Sequence, residues 1–303
     1  MKILILGAGG IGGYFGARLI QAGADVTFLV REARQQLIER AGLQIETPGG
    51  GFRVQPRTVT AATVQADYDL IVLAPKAYDL DDALASLARA DSHGALLPFL
   101  NGLDHLRVLD ARYGRARVLG GVAHIAATLT PAGAVQQLSA LHRLTVGARD
   151  PAHESLARAF IAQCGQAEFD SAYSEDIEQV LWNKWVFLAT LAGMTTACQG
   201  SVGEIMATPE GAALMRQMHA ECCAVARAEG QPISVEEQGK ALAMLTQPGS
   251  AFTASMLRDL QGGQRTEHAH ILGDMVRRGL QAQVNVDLLR LAWTHLVVRA
   301  AQR

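Results

Sequence analysis

Along the first half of the chain, short apolar runs alternate with helical patterns. Residues 3–6, 25–30, 70–74, 95–100 and 118–123 are strand-sized and almost continuously apolar, which suits strands buried on both faces of a parallel sheet. Between them, 11–22, 33–41 and 80–90 read as helices, so this half is a βαβ series and an open α/β sheet. A turn-rich break at 48–51, flanked by 43–46 and 52–54, reads as a hairpin appended to that sheet. Over 128–147 the pattern changes to short strands with Pro131 and Gly133 in a turn.

From Ser174 onward the strand signal vanishes. Ser174, Glu175 and Asp176 supply an N-cap and first-turn acids for a long helix over 177–198. Further helical patterns follow at 209–229, 234–245, 253–260, 267–280 and 286–300. The expected division is 1–172, an α/β domain, and 173–303, an all-helical one. The chain carries no internal repeat, low-complexity segment or long linker.

A length of 303 residues agrees with two domains. The 27 Lys+Arg against 29 Asp+Glu leave a net charge of −2, so nothing advertises a nucleic-acid or anionic-membrane partner. No apolar run reaches the roughly 18 residues of a membrane helix, and glycines from Gly7 to Gly16 interrupt what would be the apolar core of a signal peptide. The expectation is a soluble, cytoplasmic protein. Cys164, Cys198, Cys222 and Cys223 form no CxxC pair and two of them are adjacent, so they read as core thiols of a reducing compartment, with no metal expected. The apolar faces of 209–229 and 286–300 pack within the helical domain by default; a homodimer is the alternative.

Gly7-Ala8-Gly9-Gly10-Ile11-Gly12 fits GxGxxG directly after an apolar strand and directly before a helix. In that context the first glycine allows a tight turn, the second lets backbone approach a pyrophosphate, and the third lets helix pack on strand. NAD-binding chains usually place an acid roughly 20 residues later for the ribose hydroxyl. Here Phe28-Leu29-Val30 is followed by Arg31, with Arg34 a turn later, so a cation lies where the 2′-phosphate of NADP would sit. NADPH/NADP+ is therefore favoured; the competing reading of Arg31 is an ordinary surface arginine. Lys76 and Asn101 end the next two strand patterns, where ligands of open sheets bind, although loop lysines and turn asparagines are common for other reasons.

In the helical half, the pattern from Ile177 is apolar nearly all round, as in a buried helix, yet Lys184 lies in its middle between Leu181 and Leu188. Such a lysine either snorkels to water or is held in a cleft, where desolvation lowers its pKa toward a range useful for proton transfer. Later come Ser255-Met256-Leu257-Arg258-Asp259 and Arg265-Thr266-Glu267. Ser255 could simply start a helix, Thr266 could cap one and Glu267 could be a first-turn acid.

Together with Lys76-Ala77, Asn101-Gly102, Trp182-x-Lys184 and Gly203-Glu204, these motifs resemble the ketopantoate reductase family (2-dehydropantoate 2-reductases) over essentially the whole chain. The serine and glutamate motifs, at matching spacing, are the most specific. The resemblance implies an N-terminal Rossmann-type dinucleotide-binding domain with an all-helical C-terminal domain resembling that of 6-phosphogluconate dehydrogenase, and an active site in the cleft between them. It implies transfer of a hydride from NADPH to a 2-oxo acid, in that family ketopantoate to pantoate in pantothenate and coenzyme A biosynthesis. By the same resemblance Lys184 is the proton donor. Glu267 accepts a hydrogen bond from the substrate hydroxyl or the nicotinamide ribose and helps keep Lys184 charged. Ser255 with nearby backbone N–H groups binds the substrate carboxylate, and Asn101 bridges cofactor and substrate. Lys76 lies near the adenosine phosphate, and the Ala126 backbone touches the nicotinamide.

Where family members commonly carry asparagines for the substrate, this chain has Leu188, Ala192, Val202 and Phe252. These apolar side chains are expected to line the substrate pocket. Each lost hydrogen bond to a buried polar substrate group costs about 1–3 kcal/mol. Three alternatives stay open: a relative acting on a more apolar 2-oxo acid, a non-catalytic NADP(H)-binding protein, and a dehydrogenase running in the oxidative direction.

Overall fold

The structure is a computed structural model that describes residues 1–90 and 93–302. Packing divides the chain into two compact units, Met1–Leu100 with His105–Glu178, and Asn101–Asp104 with Gln179–Arg303. The first runs through β1 (Lys2–Leu6), α1 (Gly10–Gln21), β2 (Asp25–Leu29), α2 (Glu32–Ala41), β3 (Leu43–Thr47), β4 (Gly50–Val54) and β5 (Arg57–Val59). It continues through β6 (Leu70–Leu73), α3 (Leu80–Ser86), β7 (Ala95–Pro98), α4 (Asp104–Tyr113), β8 (Gly120–Leu129), β9 (Val135–Gly147), α5 (Glu154–Cys164) and β10 (Asp170–Tyr173).

The parallel sheet has the order β5-β2-β1-β6-β7. Leu70 to Leu73 of β6 are sealed on both faces, which is why their sequence is apolar at every position. The strand order reverses between β1 and β6, and open sheets of this kind leave a ligand crevice at the carboxyl ends of the strands there. Residues 118–123, expected in this sheet, leave it: Val118 bridges Leu96 in parallel, and the chain then departs as β8, antiparallel to β9. The fifth parallel strand is instead β5, whose three residues at the sheet edge form too short and polar a run to announce themselves.

The β3–β4 hairpin forms in the expected register, but in a different place. Its strand β3 pairs with β9, so it belongs to a second sheet of order β10-β9-β3-β4. Leu43 and Ile45 are buried while Gln44 is exposed. That alternation calls for one covered face and does not say which sheet supplies the neighbour. The short strands expected over 128–147 are in fact one long antiparallel pair, β8 and β9, turning through Thr130–Ala134.

The second unit contains α6 (Ile177–Cys198), α7 (Val202–Met206), α8 (Gly211–Ala228), α9 (Val235–Leu245), α10 (Ser255–Gln261), a π turn (Ala269–Gly273), α11 (Asp274–Gln281) and α12 (Asp287–Ala301). The spine is α6. Its Trp185 is fully buried and donates its indole N–H to the Ile271 carbonyl at 3.0 Å, so truncation to alanine would cost about 3–5 kcal/mol. Thr190, Thr195 and Thr196 are also fully buried, and each hydroxyl donates to a carbonyl one turn back.

The helix expected over 267–280 comes in two parts, the π turn and then α11. Thr266 does not cap it, because its Oγ1 hydrogen-bonds His268 Nδ1 at 2.8 Å. Cys164, Cys222 and Cys223 are core thiols, and burial pushes Cys164 up to about 12 and Cys223 up to about 11. Cys198 is exposed, contrary to expectation, because it is the last residue of α6, beyond the buried stretch. Among the described residues, no helix is long and apolar enough to cross a membrane.

Candidate active site

The glycine motif opens at the carboxyl end of β1. Gly7 has φ of +100°, which only glycine adopts without strain, and its amide donates to the Leu29 carbonyl of β2 at 3.1 Å. At Gly12 a Cβ would lie 2.2 Å from the Gly7 carbonyl oxygen, so the turn and helix require a glycine for their own packing. Gly9 is different. It precedes α1 in an extended conformation, no side chain closes that helix end, no acid lies in the first turn, and a Cβ there would meet nothing within 4 Å. The chain itself makes no demand for glycine at this position. The open N–H groups and positive end of α1 suit an anion, and a side chain at Gly9 would stand in its approach. A dinucleotide diphosphate fits that cradle.

The structure brings Ala126 beside this turn. The β8–β9 register passes from Ile125↔His142 to Ala127↔Gln137 and leaves Ala126 in a bulge. The Ala127 carbonyl oxygen lies so close that a Cβ on Gly10 would be 2.9 Å from it. Arg31 is exposed at the N-terminus of α2, after β2. Arg34, which the sequence placed beside it as a second cation, points inward. Its guanidinium donates to the Ala8 carbonyl at 2.8 Å and the Gly133 carbonyl at 2.6 Å, and burial holds its pKa below the usual arginine value. Lys76 is exposed after β6, at the start of the short turn Ala77–Asp79.

The helical unit holds a second group. Lys184 shares a partly exposed face of α6 with Asn183, Phe187 and Leu188, while the neighbouring Trp185 and Val186 are sealed. Burial pushes its ammonium down to about 8, and the charge of Glu267 pulls the other way. Lys184 is therefore held among groups that desolvate it and faces a carboxylate that is itself buried. Asn101 belongs to this unit and is half-buried; the following Gly102 packs against His270. Ser255 opens α10 with its side chain exposed. The loop before it reaches α6 through Phe252, whose ring centroid is 6.1 Å from that of Phe187.

Of the four apolar residues expected to line a pocket, Leu188 and Phe252 present surface, Phe252 at 38% exposure. Val202 and Ala192 are core residues, buried at 0% and 3% exposure. The Gly203-Glu204 motif is architectural. Glu204 and Ser201 form a capping box at α7, and Gly203 donates to the Ser250 carbonyl at 2.8 Å. Sequence reasoning missed His270 and the inward turn of Arg34, since neither hydrophobic period nor motif spacing reports a π turn or a guanidinium on carbonyl oxygens.

Known proteins resemble the chain over both of its halves. Residues 3–151 match the family profile described as ketopantoate reductase PanE/ApbA, and residues 176–300 match its C-terminal counterpart. An uncharacterized oxidoreductase, YkpB of Bacillus subtilis (strain 168), is 32% identical over 304 residues, with 100% of each chain covered. A 2-dehydropantoate 2-reductase of Halobacterium salinarum is 27% identical, with 100% of this chain and 99% of the relative covered. Among solved structures, a PanE/ApbA family ketopantoate reductase from Ralstonia eutropha JMP134 superposes with a TM-score of 0.88 at 26% identity, covering 100% of this chain and 99% of that one. D-mandelate dehydrogenase with NADH and anilino(oxo)acetate superposes with a TM-score of 0.89 at 21% identity, with 100% and 99% coverage, a likeness of fold alone. With both halves matched and a relative aligned end to end, the chain belongs to the ketopantoate reductase family of oxidoreductases.

Proposed function

We propose that this protein uses NADPH to reduce a 2-oxo acid to the corresponding 2-hydroxy acid, with 2-dehydropantoate to pantoate as the first pair to test. The observation that carries the reading is Lys184, an ammonium desolvated on a largely apolar helix, pushed down to about 8 and facing the buried Glu267. Bound NADPH would supply the hydride for the carbonyl carbon. As charge develops on the carbonyl oxygen, Lys184 stabilises it and gives it a proton from Nζ. Glu267 keeps that ammonium charged and accepts a hydrogen bond from the substrate hydroxyl or the nicotinamide ribose. The Ser255 hydroxyl binds the substrate carboxylate, and Asn101 donates to both ligands.

Residues 1–172 bind the cofactor in this reading and 173–303 carry the chemistry. The backbone from Gly7 to Gly12 receives the diphosphate, Arg31 takes the 2′-phosphate, Lys76 lies near the adenosine phosphate and the Ala126 backbone lies by the nicotinamide. The three buried thiols favour a reducing, cytoplasmic setting.

A second reading has its own observation. Phe187, Leu188 and Phe252 give the face beside Lys184 an apolar surface, which favours a 2-oxo acid with a larger apolar side chain. Initial rates of NADPH oxidation with 2-dehydropantoate, 2-oxoisovalerate and phenylglyoxylate separate the two. The highest kcat/KM on 2-dehydropantoate supports the first, and the highest on phenylglyoxylate supports the second. NADPH binding with no turnover on any 2-oxo acid would reject both.

A further inference from the structure

The segment Asn101–Asp104 lies in sequence between β7 and the body of α4, yet it packs as part of the helical unit. What it packs on is His270. Gly102 has φ of +77°, and a Cβ there would come within 2.8 Å of His270 Cδ2 and 2.9 Å of the His270 carbonyl oxygen. The turn therefore lies flush against both ring and backbone of one residue. The preceding peptide is bonded to the same ring. The Asn101 backbone favours the protonated imidazole, which identifies its carbonyl as the acceptor of a ring N–H.

His270 is also tied to the other side of the site. Its amide donates to the Glu267 carbonyl at 3.1 Å, and the Ile271 amide donates to the same oxygen at 3.0 Å. The next carbonyl, that of Ile271, accepts the Trp185 indole N–H, one residue along α6 from Lys184. Arg277 reaches Asp104 at 3.6 Å and also pairs with Asp274. Burial keeps the imidazole below the usual histidine pKa against the charges of Glu267, Asp104 and Asp274, so near neutral pH the ring has one N–H to give. The π turn is what presents the ring here. Its extra residue per turn breaks the 3.6 period that would otherwise carry on from Glu267, and such bulges are frequent at functional sites.

We propose that His270 is a positioning residue for the reduction: by bonding the Asn101 carbonyl three residues after Glu267, it holds the Asn101 amide and the Glu267 carboxylate in one geometry around the substrate. This rests on the reading of Lys184 and Glu267 as the reaction centre. His270 itself touches neither substrate nor proton in transit. Its effect is on the alignment of two groups that do, and a misplacement of about 1 Å can cost on the order of a hundredfold in rate.

The test compares His270→Phe, which keeps the ring volume and loses the donor, with His270→Gln, which keeps a donor, in the full-length chain. The expected result is a fall in kcat of about tenfold or more for His270→Phe, with NADPH dissociation constants by fluorescence raised only a few-fold, since Asn101 meets the cofactor as well as the substrate. His270→Gln should return to within about threefold of wild type. Gly102→Ala, which pushes the turn off the ring from the other side, should reproduce the kcat loss. His270→Phe with wild-type kcat overturns the proposal, as does His270→Gln falling as far as His270→Phe. If His270→Phe fails to fold by circular dichroism, the glutamine variant decides alone: activity near wild type supports the donor role and loss overturns it. A wild-type chain that turns over no 2-oxo acid defeats the underlying reading instead, and the proposal with it, so the two failures are told apart by the wild-type assay.

Discussion

At the glycine turn of the α/β unit nearly every group that would meet a ligand is backbone, whereas in the helical unit the corresponding groups, Lys184 of α6 and Glu267 just before the π turn, are side chains. The difference is physical. A backbone site requires that no Cβ intrude, so it is built from residue types that leave a visible trace, Gly7, Gly9 and Gly12. A side-chain site needs a charge carried into apolar surroundings, where its titration and its cost to the fold are two faces of one quantity. The first kind should fail sterically and be indifferent to pH; the second should titrate and should work against stability.

The sharpest way to break that comparison is Lys184→Met. General acids contribute roughly 10² to 10⁴ in rate, so kcat should fall by that factor with NADPH binding nearly unchanged. In the wild type, kcat should decline as pH rises through about 8, because deprotonation removes the proton to be delivered. Stability should move the other way. With its folded value lowered from 10.5 to about 8, the ammonium opposes folding at pH 7 by on the order of 3 kcal/mol, and that opposition fades between about 8 and 10.5. Lys184→Met should therefore melt above wild type at pH 7, with the gap narrowing toward pH 10. A variant melting below wild type at pH 7 would show that the lysine is not strained.

A smaller effect is expected in the other unit, where two neighbouring glycines should behave differently. Gly12→Ala drives a Cβ into the Gly7 carbonyl and should destabilise the fold by about 1–3 kcal/mol in thermal melts. Gly9→Ala meets no atom of the chain, at φ −89° and ψ −161° that alanine accepts, so its melting temperature should match wild type. Its NADPH affinity should nevertheless fall about tenfold or more, because the added methyl occupies space meant for the diphosphate. Unchanged NADPH affinity in Gly9→Ala would remove the cradle.

The same contrast decides what could be read from the chain before its structure. The alternation of 3–6, 11–22 and 25–30 gave the parallel sheet, because burial on both faces and amphipathic packing impose periods that local sequence must satisfy. The hairpin 43–54 was legible as a hairpin and not as part of the second sheet, since β9 lies about 90 residues away and pairing of that range leaves no local mark. On the site, Lys184 stood out as a charge in an apolar helix. Its partner Glu267 was legible through a motif, but the π turn that follows it was not. His270 was invisible because its role depends on Gly102, a contact spanning the chain.

The smallest expected effects test whether the two arginines after β2 differ as their surroundings say. Arg31 is exposed at the head of α2, so Arg31→Gln should remove only what a 2′-phosphate gains. The preference for NADPH over NADH should drop by about tenfold, with the KM for NADH unchanged, since one charge-assisted contact to a phosphate is worth about 1.5–3 kcal/mol in favourable cases. Arg34 instead braces the Ala8 and Gly133 carbonyls. Arg34→Gln should raise the KM for both cofactors alike, by a few-fold, because what it loosens is the glycine turn that both share. A selective loss of NADPH in the Arg34 variant would make it a phosphate ligand after all, a second side-chain charge beside Arg31 next to a turn otherwise made of backbone.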